Sequence, residues 1–230
     1  MLEQFQLDVE TIWELKSADL QHLLSLKERS KSQLGQDLFV LLETGFKKDG
    51  YFVEFGATDG IALSNTYLLE KDYGWTGLVA EPARQWHEPL QMNRECSIDT
   101  RCVWKRSGEE VSFTECGELS TLDAYIDSDA RGQIRRGGHS YPVETVTLKD
   151  LLREHSAPKF IDYLSLDTEG SEYDILSEFD FDEYFIQVIS CEHNFLAIRT
   201  DIVELLEANG YERKFPALSR WDDWFVRSPA

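Results

Sequence analysis

From residue 51 onward, short apolar runs alternate with stretches of helical period, and this pattern most constrains the fold. The spacing predicts strands at residues 51–55, 76–80, 101–104, 160–166 and 184–191. It predicts helices at 63–71, 83–94, 148–155, 171–176 and 200–209 between and after them. Strand, helix and strand in repetition build parallel units with right-handed crossovers, so both faces of one sheet become covered. The fold class expected is α/β, Rossmann-like, with a mostly parallel sheet and helices on both faces. Two closing strand-like pieces, 211–215 and 224–227, would complete the sheet, the last inserted antiparallel. Ligands of such sheets gather at the carboxyl ends of the strands.

Before the alternation lie two helical patterns. Ile12, Leu15, Leu20, Leu23, Leu24 and Leu26 recur at helical spacing within residues 8–31, and SQLGQDLFVLLET follows from Ser32. The division expected is an N-terminal helical extension at 1–31 and a main domain at 32–230. Residues 108–113 and 141–147 read as further short strands. Between them, residues 115–139 show no clear period and are expected to form a lid or an insertion. A chain of 230 residues, 42% hydrophobic, suffices for one well-cored domain.

The formal net charge of −20 disfavours nucleic acid and anionic membranes as partners, because phosphate binding needs clustered Lys and Arg. Arg131, Arg135 and Arg136 form a local basic exception. Cys96, Cys102, Cys116 and Cys191 have no CxxC spacing, and Cys102 and Cys191 fall in strand patterns as buried thiols. The opening MLEQFQLDVE lacks a basic-then-apolar leader pattern, so a cytoplasmic location is expected. The sequence leaves room for a homo-oligomer.

Four groups of residues carry the chemistry. In Val53-Glu54-Phe55-Gly56-Ala57-Thr58-Asp59-Gly60 an apolar strand meets a glycine turn, where a side chain would block a ligand's approach. Glu81 ends the next strand, 25 residues after Gly56, where a carboxylate can accept both hydroxyl protons of a ribose. A nucleoside cofactor follows, either NAD or S-adenosylmethionine. The turn is not GxGxxG, which favours the cofactor without a pyrophosphate. Asp167 ends the fourth main strand, with Glu169 beyond it, while Glu172 reads as a helix-start acid. Glu192-His193-Asn194 ends the strand after that. Asp167, Glu192 and His193 are the candidates for removing a substrate proton. Asp167, Glu192 and Asn194 are the alternative oxygen set for Mg²⁺. His193 also admits a purely structural role.

The ordered series SQLGQDLFV, GYFVEFGATDG, LSNTYLLEKDYGWTGLVAEP, YLSLDTEGSEYDIL, CEHNF and DDWFV resembles the FkbM family of S-adenosylmethionine-dependent methyltransferases, from Ser32 to about Val226. The resemblance implies a class I methyltransferase fold with a seven-stranded sheet and S-adenosylmethionine as methyl donor. It implies that Glu54, Gly56, Ala57, Asp59, Gly60 and Asn65 surround the methionine end and ribose. Glu81 would then hold the ribose hydroxyls, and residues near Trp104 would flank the adenine, while the position of Asp167 and Glu169 at the sheet's carboxyl edge faces them toward the cofactor's reacting end. Trp104, Lys105 and Arg106 stand where the family has a small-residue strand end. The implied reaction is O-methylation of a small-molecule hydroxyl, for example on a sugar or polyketide. The rival readings are a catalytically inactive module of the same family and a nucleotide-cofactor oxidoreductase.

Overall fold

The computed structural model describes residues 17–228. The part of the predicted N-terminal helix before residue 17 lies outside them. The alternating pattern folds into a seven-stranded sheet between two helical layers. Its strands are β1 (Tyr51–Phe55), β2 (Thr76–Ala80), β3 (Ser97–Asp99), β8 (Phe160–Leu166), β9 (Phe185–Glu192), β10 (Glu212–Lys214) and β11 (Asp222–Val226). The spatial order is β10-β11-β9-β8-β1-β2-β3. Strands β3, β2, β1, β8 and β9 run parallel. The last strand, β11, enters antiparallel between β9 and β10, as expected of a methyltransferase-type sheet.

Strand alternation divides the core in two. Val53 and Phe55 face one layer, where α6 (Leu148–Glu154), α7 (Glu172–Ser177) and α8 (Arg199–Ala208) bury Leu151, Leu176 and Leu206. Phe52 faces the other, where α2 (Gln36–Glu43), α3 (Tyr67–Tyr73) and α4 (Arg84–Asn93) bury Val40, Leu69 and Leu90. Helix α1 (Ser17–Leu26) packs Leu26 onto this second layer. Near-continuous apolar runs suit strands covered on both faces.

The structure corrects the third strand. Residues 101–104 do not extend the main sheet, whose edge is β3, Ser97–Asp99. Cys102–Val103 forms β4 and leaves to pair with β7 (His139–Val146). With β5 (Glu110–Glu115) and β6 (Thr121–Leu122) these strands make a second, four-stranded sheet of order β4-β7-β5-β6. It has its own small core of Ala83, Cys102, Phe113, Leu122, Tyr141 and Val143. The patternless segment 115–139 thus contains β6, a single 3₁₀ turn at Asp123–Tyr125 and the short helix α5 (Gly132–Arg135). Among the described residues no helix is long and apolar enough to cross a membrane.

Gly56 sets the spacing at the carboxyl rim, for a reason additional to the one expected. Its φ is +78°, and a Cβ there would overlap the backbone carbonyl oxygen of Asp167. The glycine admits the neighbouring strand's exit loop, and it also lines the cleft at that rim. Gly45 is also left-handed, at φ +63°, but a Cβ there meets nothing within 4 Å. Gly45→Ala should therefore cost only the left-handed penalty of about 1–2 kcal/mol. Gly56→Ala should cost more than ~2 kcal/mol by adding a backbone overlap in a packed core. Equal losses in urea unfolding would show that the β1–β8 approach is relaxed.

Candidate functional site

The strand ends β1, β2, β8 and β9 open into one cleft of about 200 Å³. Glu54, Gly56, Asn65, Glu81, Asp167 and Glu192 all line it, so six expected residues from separate chain segments converge. Part of its wall is apolar. Pro82, Cys102, Val103, Phe113 and Leu122 come from the start of α4 and from the second sheet. Only the β4 departure puts Cys102 and Val103 there, and periodicity does not reveal a change of sheet.

Glu81 is buried at the end of β2. Its Oε2 accepts the Thr58 backbone N–H at 2.9 Å and Oε1 accepts that of Ala83 at 2.8 Å. Each oxygen keeps a lone pair for a ligand. Burial raises the carboxyl to about 7, against the two N–H donors that lower it.

Glu54 is engaged by the protein itself. It accepts the Asn65 N–H at 2.6 Å, the Thr66 hydroxyl at 2.5 Å, the Ser64 hydroxyl at 3.0 Å and Arg94 Nη1 at 3.3 Å. Arg94, fully buried, also donates to Glu70 at 2.9 Å. Glu54 thereby ties the loop of residues 56–66 to β1, and its role toward a ligand is to place Asn65. The Asn65 amide nitrogen donates to Ser165 Oγ at 2.9 Å, while its buried Oδ1 has no hydrogen-bond partner. A buried unpaired acceptor on a cleft wall suits a ligand that brings a donor.

Asp59 and Gly60 shape the same loop away from the cleft. Asp59 Oδ1 accepts the Ile61 and Ala62 N–H groups, both at 2.8 Å. Gly60, at φ +81°, lets Arg94 and Leu90 pack against it. Ala57 is buried in the second core layer. Trp104 stands outside the cleft wall, its indole N–H donating to Tyr125 Oη at 2.9 Å, and its ring packs against the core of the second sheet. The apolar wall beside Glu81 is therefore Val103 and Phe113, not Trp104.

At the other end stand Asp167, Glu169 and Glu192, with carboxylate oxygens all within 4.8 Å of one another. Three acids this close do not all ionise readily. Burial and then the neighbouring acids push Asp167 and Glu192 well above the ordinary carboxylate range. Burial also raises Glu169, opposed by Arg135 and Arg131. Arg131 Nη1 lies 3.1 Å from Glu169, and the fully buried Arg135 donates to both Glu169 and Asp129. Arg136 pairs with Asp127. The arginines of segment 115–139 are thus spent on acids and offer no vacant phosphate site among themselves. Their part in the site carries no signal in local sequence pattern, because each partner is distant in the chain or across a turn.

Asn194 turns its amide nitrogen to Glu192 Oε2 at 2.7 Å, so it presents a donor where a metal ligand needs an oxygen. Glu169 takes the third oxygen position. His193 does not line the cleft. Its Nδ1 accepts the Phe195 N–H at 2.9 Å and its Nε2 faces the Asp222 carbonyl at 3.0 Å. Both ring nitrogens are occupied by backbone, and burial lowers the imidazole's proton affinity further. Glu172 accepts the Thr168 N–H at 2.8 Å and the Gly170 N–H at 3.1 Å, closing the 168–170 loop as a helix-start acid.

Comparison with curated proteins returns no match. Among solved structures, the chain is similar to precorrin-6y C5,15-methyltransferase from Geobacter metallireducens at 13% identity and a TM-score of 0.43, covering 77% of this chain and 71% of that one. It is also similar to a chain of a fibrillarin/Nop5p complex at 10% identity and a TM-score of 0.41, covering 86% and 81%. A family model described as the methyltransferase FkbM domain matches residues 54–213, from the carboxylate that fixes the first loop to the tenth strand. That match spans well over half of the chain and takes in every strand end of the cleft, and the chain belongs to the FkbM methyltransferase family.

Proposed function

We propose that this methyltransferase moves the methyl group of S-adenosylmethionine to a hydroxyl oxygen of an uncharged small molecule, such as a sugar or polyketide. The observation that carries this reading is the close Asp167–Glu192 pair, with carboxylate oxygens within 4.8 Å, on the same rim as Glu81 and Asn65. S-adenosylmethionine supplies an electrophilic methyl carbon on a sulfonium. Glu81 has lone pairs for the ribose hydroxyls. The unpartnered Asn65 Oδ1 suits the ammonium of the methionine part, and the Pro82, Val103 and Phe113 wall suits the adenine. The residues present fit the cofactor in charge, because the cleft is acidic and the cofactor cationic.

An aliphatic hydroxyl is a weak nucleophile at neutral pH and needs a base. Burial and the neighbouring acids raise both Asp167 and Glu192. An ionised carboxylate of this pair would take the acceptor hydroxyl's proton as the methyl passes from sulfur to oxygen and S-adenosylhomocysteine leaves, and a carboxylate of raised proton affinity does this better than an ordinary one. His193 drops out as the base because its nitrogens are engaged. It supports the turn beside Glu192. The remaining rate advantage comes from alignment, worth about 7–11 kcal/mol when two reactants are held in line. A second reading uses Asp167, Glu169 and Glu192 as hard oxygen donors for Mg²⁺, in place of the Asp167, Glu192 and Asn194 set. A raised melting temperature on adding Mg²⁺ at neutral pH, absent in Asp167→Asn, would favour it.

S-adenosylhomocysteine at about 100 times its dissociation constant should stabilise the protein by about 2.7 kcal/mol. No stabilisation would point to an inert module, and stabilisation by NAD instead would point to an oxidoreductase. Asp167→Asn should lower methyl transfer by about 10²–10⁴-fold while changing S-adenosylhomocysteine affinity little. Equal loss of both would place Asp167 in cofactor binding alone.

The pH dependence has a definite sign. Unliganded Glu81 is protonated below about 7 and must be ionised to accept two hydroxyl protons. Affinity for S-adenosylhomocysteine should therefore rise from pH 5.5 toward 7, by at most about tenfold per unit, and level off above. Glu81→Gln should bind more weakly with a flatter profile. An unchanged slope in that variant would remove Glu81 from ribose binding.

A further inference from the structure

Three central strands carry a row of polar side chains across an otherwise apolar sheet. Glu54 on β1, Ser165 on β8 and Ser190 on β9 stand in register, and Tyr163 precedes Ser165 by two residues on the same face of β8. All four are at most 2% exposed. Buried hydroxyls are unfavourable unless each finds a partner. These find one another and Asn65. The Tyr163 hydroxyl and Ser190 Oγ are 2.6 Å apart, Ser190 Oγ donates to Ser165 Oγ at 3.5 Å, and the Asn65 amide nitrogen donates to Ser165 Oγ at 2.9 Å. A serine has one hydroxyl proton, and that of Ser190 goes to Ser165, so Tyr163 is the donor to Ser190. Burial pushes the Tyr163 phenol well above its ordinary range, and the phenol keeps the proton it donates. The bonds of the chain thus all point toward Ser165, whose oxygen is an acceptor for Asn65.

Asn65 is held from two sides. Glu54 Oε1 accepts its backbone N–H at 2.6 Å, and Ser165 accepts its side-chain N–H. The freedom that remains is rotation of the amide, which exchanges Oδ1 and Nδ2. With Nδ2 on Ser165, the atom left without a partner is Oδ1, on a residue that lines the cleft and is only 7% exposed. We propose that the Tyr163–Ser190–Ser165 chain sets the orientation of the Asn65 amide and thereby makes the cleft select a cofactor carrying a primary ammonium over the same nucleoside without one. This rests on the reading of the cleft as an S-adenosylmethionine site. The reversed amide would offer an N–H group and favour the cofactor's carboxylate in place of its ammonium. A hydrogen bond to a charged group is worth more than a neutral one, so the face the amide shows decides which charged end of the amino-acid part is held there. Ser165 touches Asn65 and is absent from the cleft lining, and it is a positioning residue.

The test measures dissociation constants by calorimetry on the full chain, with S-adenosylhomocysteine, its desamino analogue and its decarboxylated analogue. Wild type should bind S-adenosylhomocysteine about 10–100-fold more tightly than the desamino analogue. Ser165→Ala should remove most of that ratio by weakening S-adenosylhomocysteine, with the desamino analogue bound as by wild type. The acids of the cleft act on wild type and variant alike, so the change in ratio reads the amide alone. Ser165→Thr, which keeps a hydroxyl, should retain the ratio, and Tyr163→Phe, which removes only the far end of the chain, should reduce it in part. A circular-dichroism melt confirms that each variant is folded. A purely structural role for Ser165 would weaken both ligands equally, and that result would overturn the proposal. A wild type that loses affinity with the carboxylate and not with the amine would also overturn it. Absence of any S-adenosylhomocysteine binding to wild type would instead defeat the methyltransferase reading of the cleft, and so the two failures are distinguishable.

Discussion

The arrangement of this protein depends on how closely two adjacent parallel strands can end. β1 turns out at Gly56 and β8 at Asp167, and the carbonyl of the second occupies the space where the first would carry a Cβ. That contact draws the acidic loop of β8 over the exit of β1. The glycine loop, Asp167 and the carboxylates beside it then share one rim instead of lining separate grooves. Every later feature of the site uses this proximity: Asn65 reaches Ser165 on β8, and Glu192 reaches Asp167 from the next strand along. The glycine is a packing requirement first and makes cofactor binding possible as a consequence.

Charge organises the rim as strongly as shape does. Glu54, Glu81, Asp167, Glu169 and Glu192 line one cleft, and the structure treats them differently. Glu54 and Glu169 are matched with Arg94 and with Arg131 and Arg135, so they serve as fixed anchors. Glu81 has only backbone N–H partners, and Asp167 and Glu192 have chiefly each other and Asn194. Burial raises Glu81, Asp167, Glu169 and Glu192, and arginines oppose it only at Glu169, so a cationic cofactor would relieve the other three. Segment 115–139 contributes by sending Arg131 and Arg135 across to β8's exit loop, which makes it part of the site's electrostatics.

Much of this was legible in the alternation of apolar runs. The strand at residues 160–166 coincides with β8, and the order of Gly56, Glu81, Asp167 and Glu192 along successive strand ends foretells their convergence. The edge strand was not legible, because Ser97–Asp99 has one apolar residue while Cys102–Val103 sits in a stronger apolar run. The helix expected from residue 63 begins at Tyr67, because Ser64, Asn65 and Thr66 are drawn onto Glu54. That displacement depends on a buried carboxylate and Arg94, contacts invisible to local periodicity. His193 illustrates the same limit: its place at a strand end suggests a base, and only its two backbone partners reveal a support.

The account's central claim is that the carboxyl rim between β1, β2, β8 and β9 holds the methyl donor with its reacting end toward the Asp167–Glu192 pair. A crystal structure of the complex with S-adenosylhomocysteine measures this most directly. The account predicts the ribose hydroxyls on Glu81, the adenine against Val103 and Phe113, and the sulfur turned toward Asp167. Density for the nucleoside at the opposite edge of the sheet, or a sulfur facing away from both carboxylates, would contradict it.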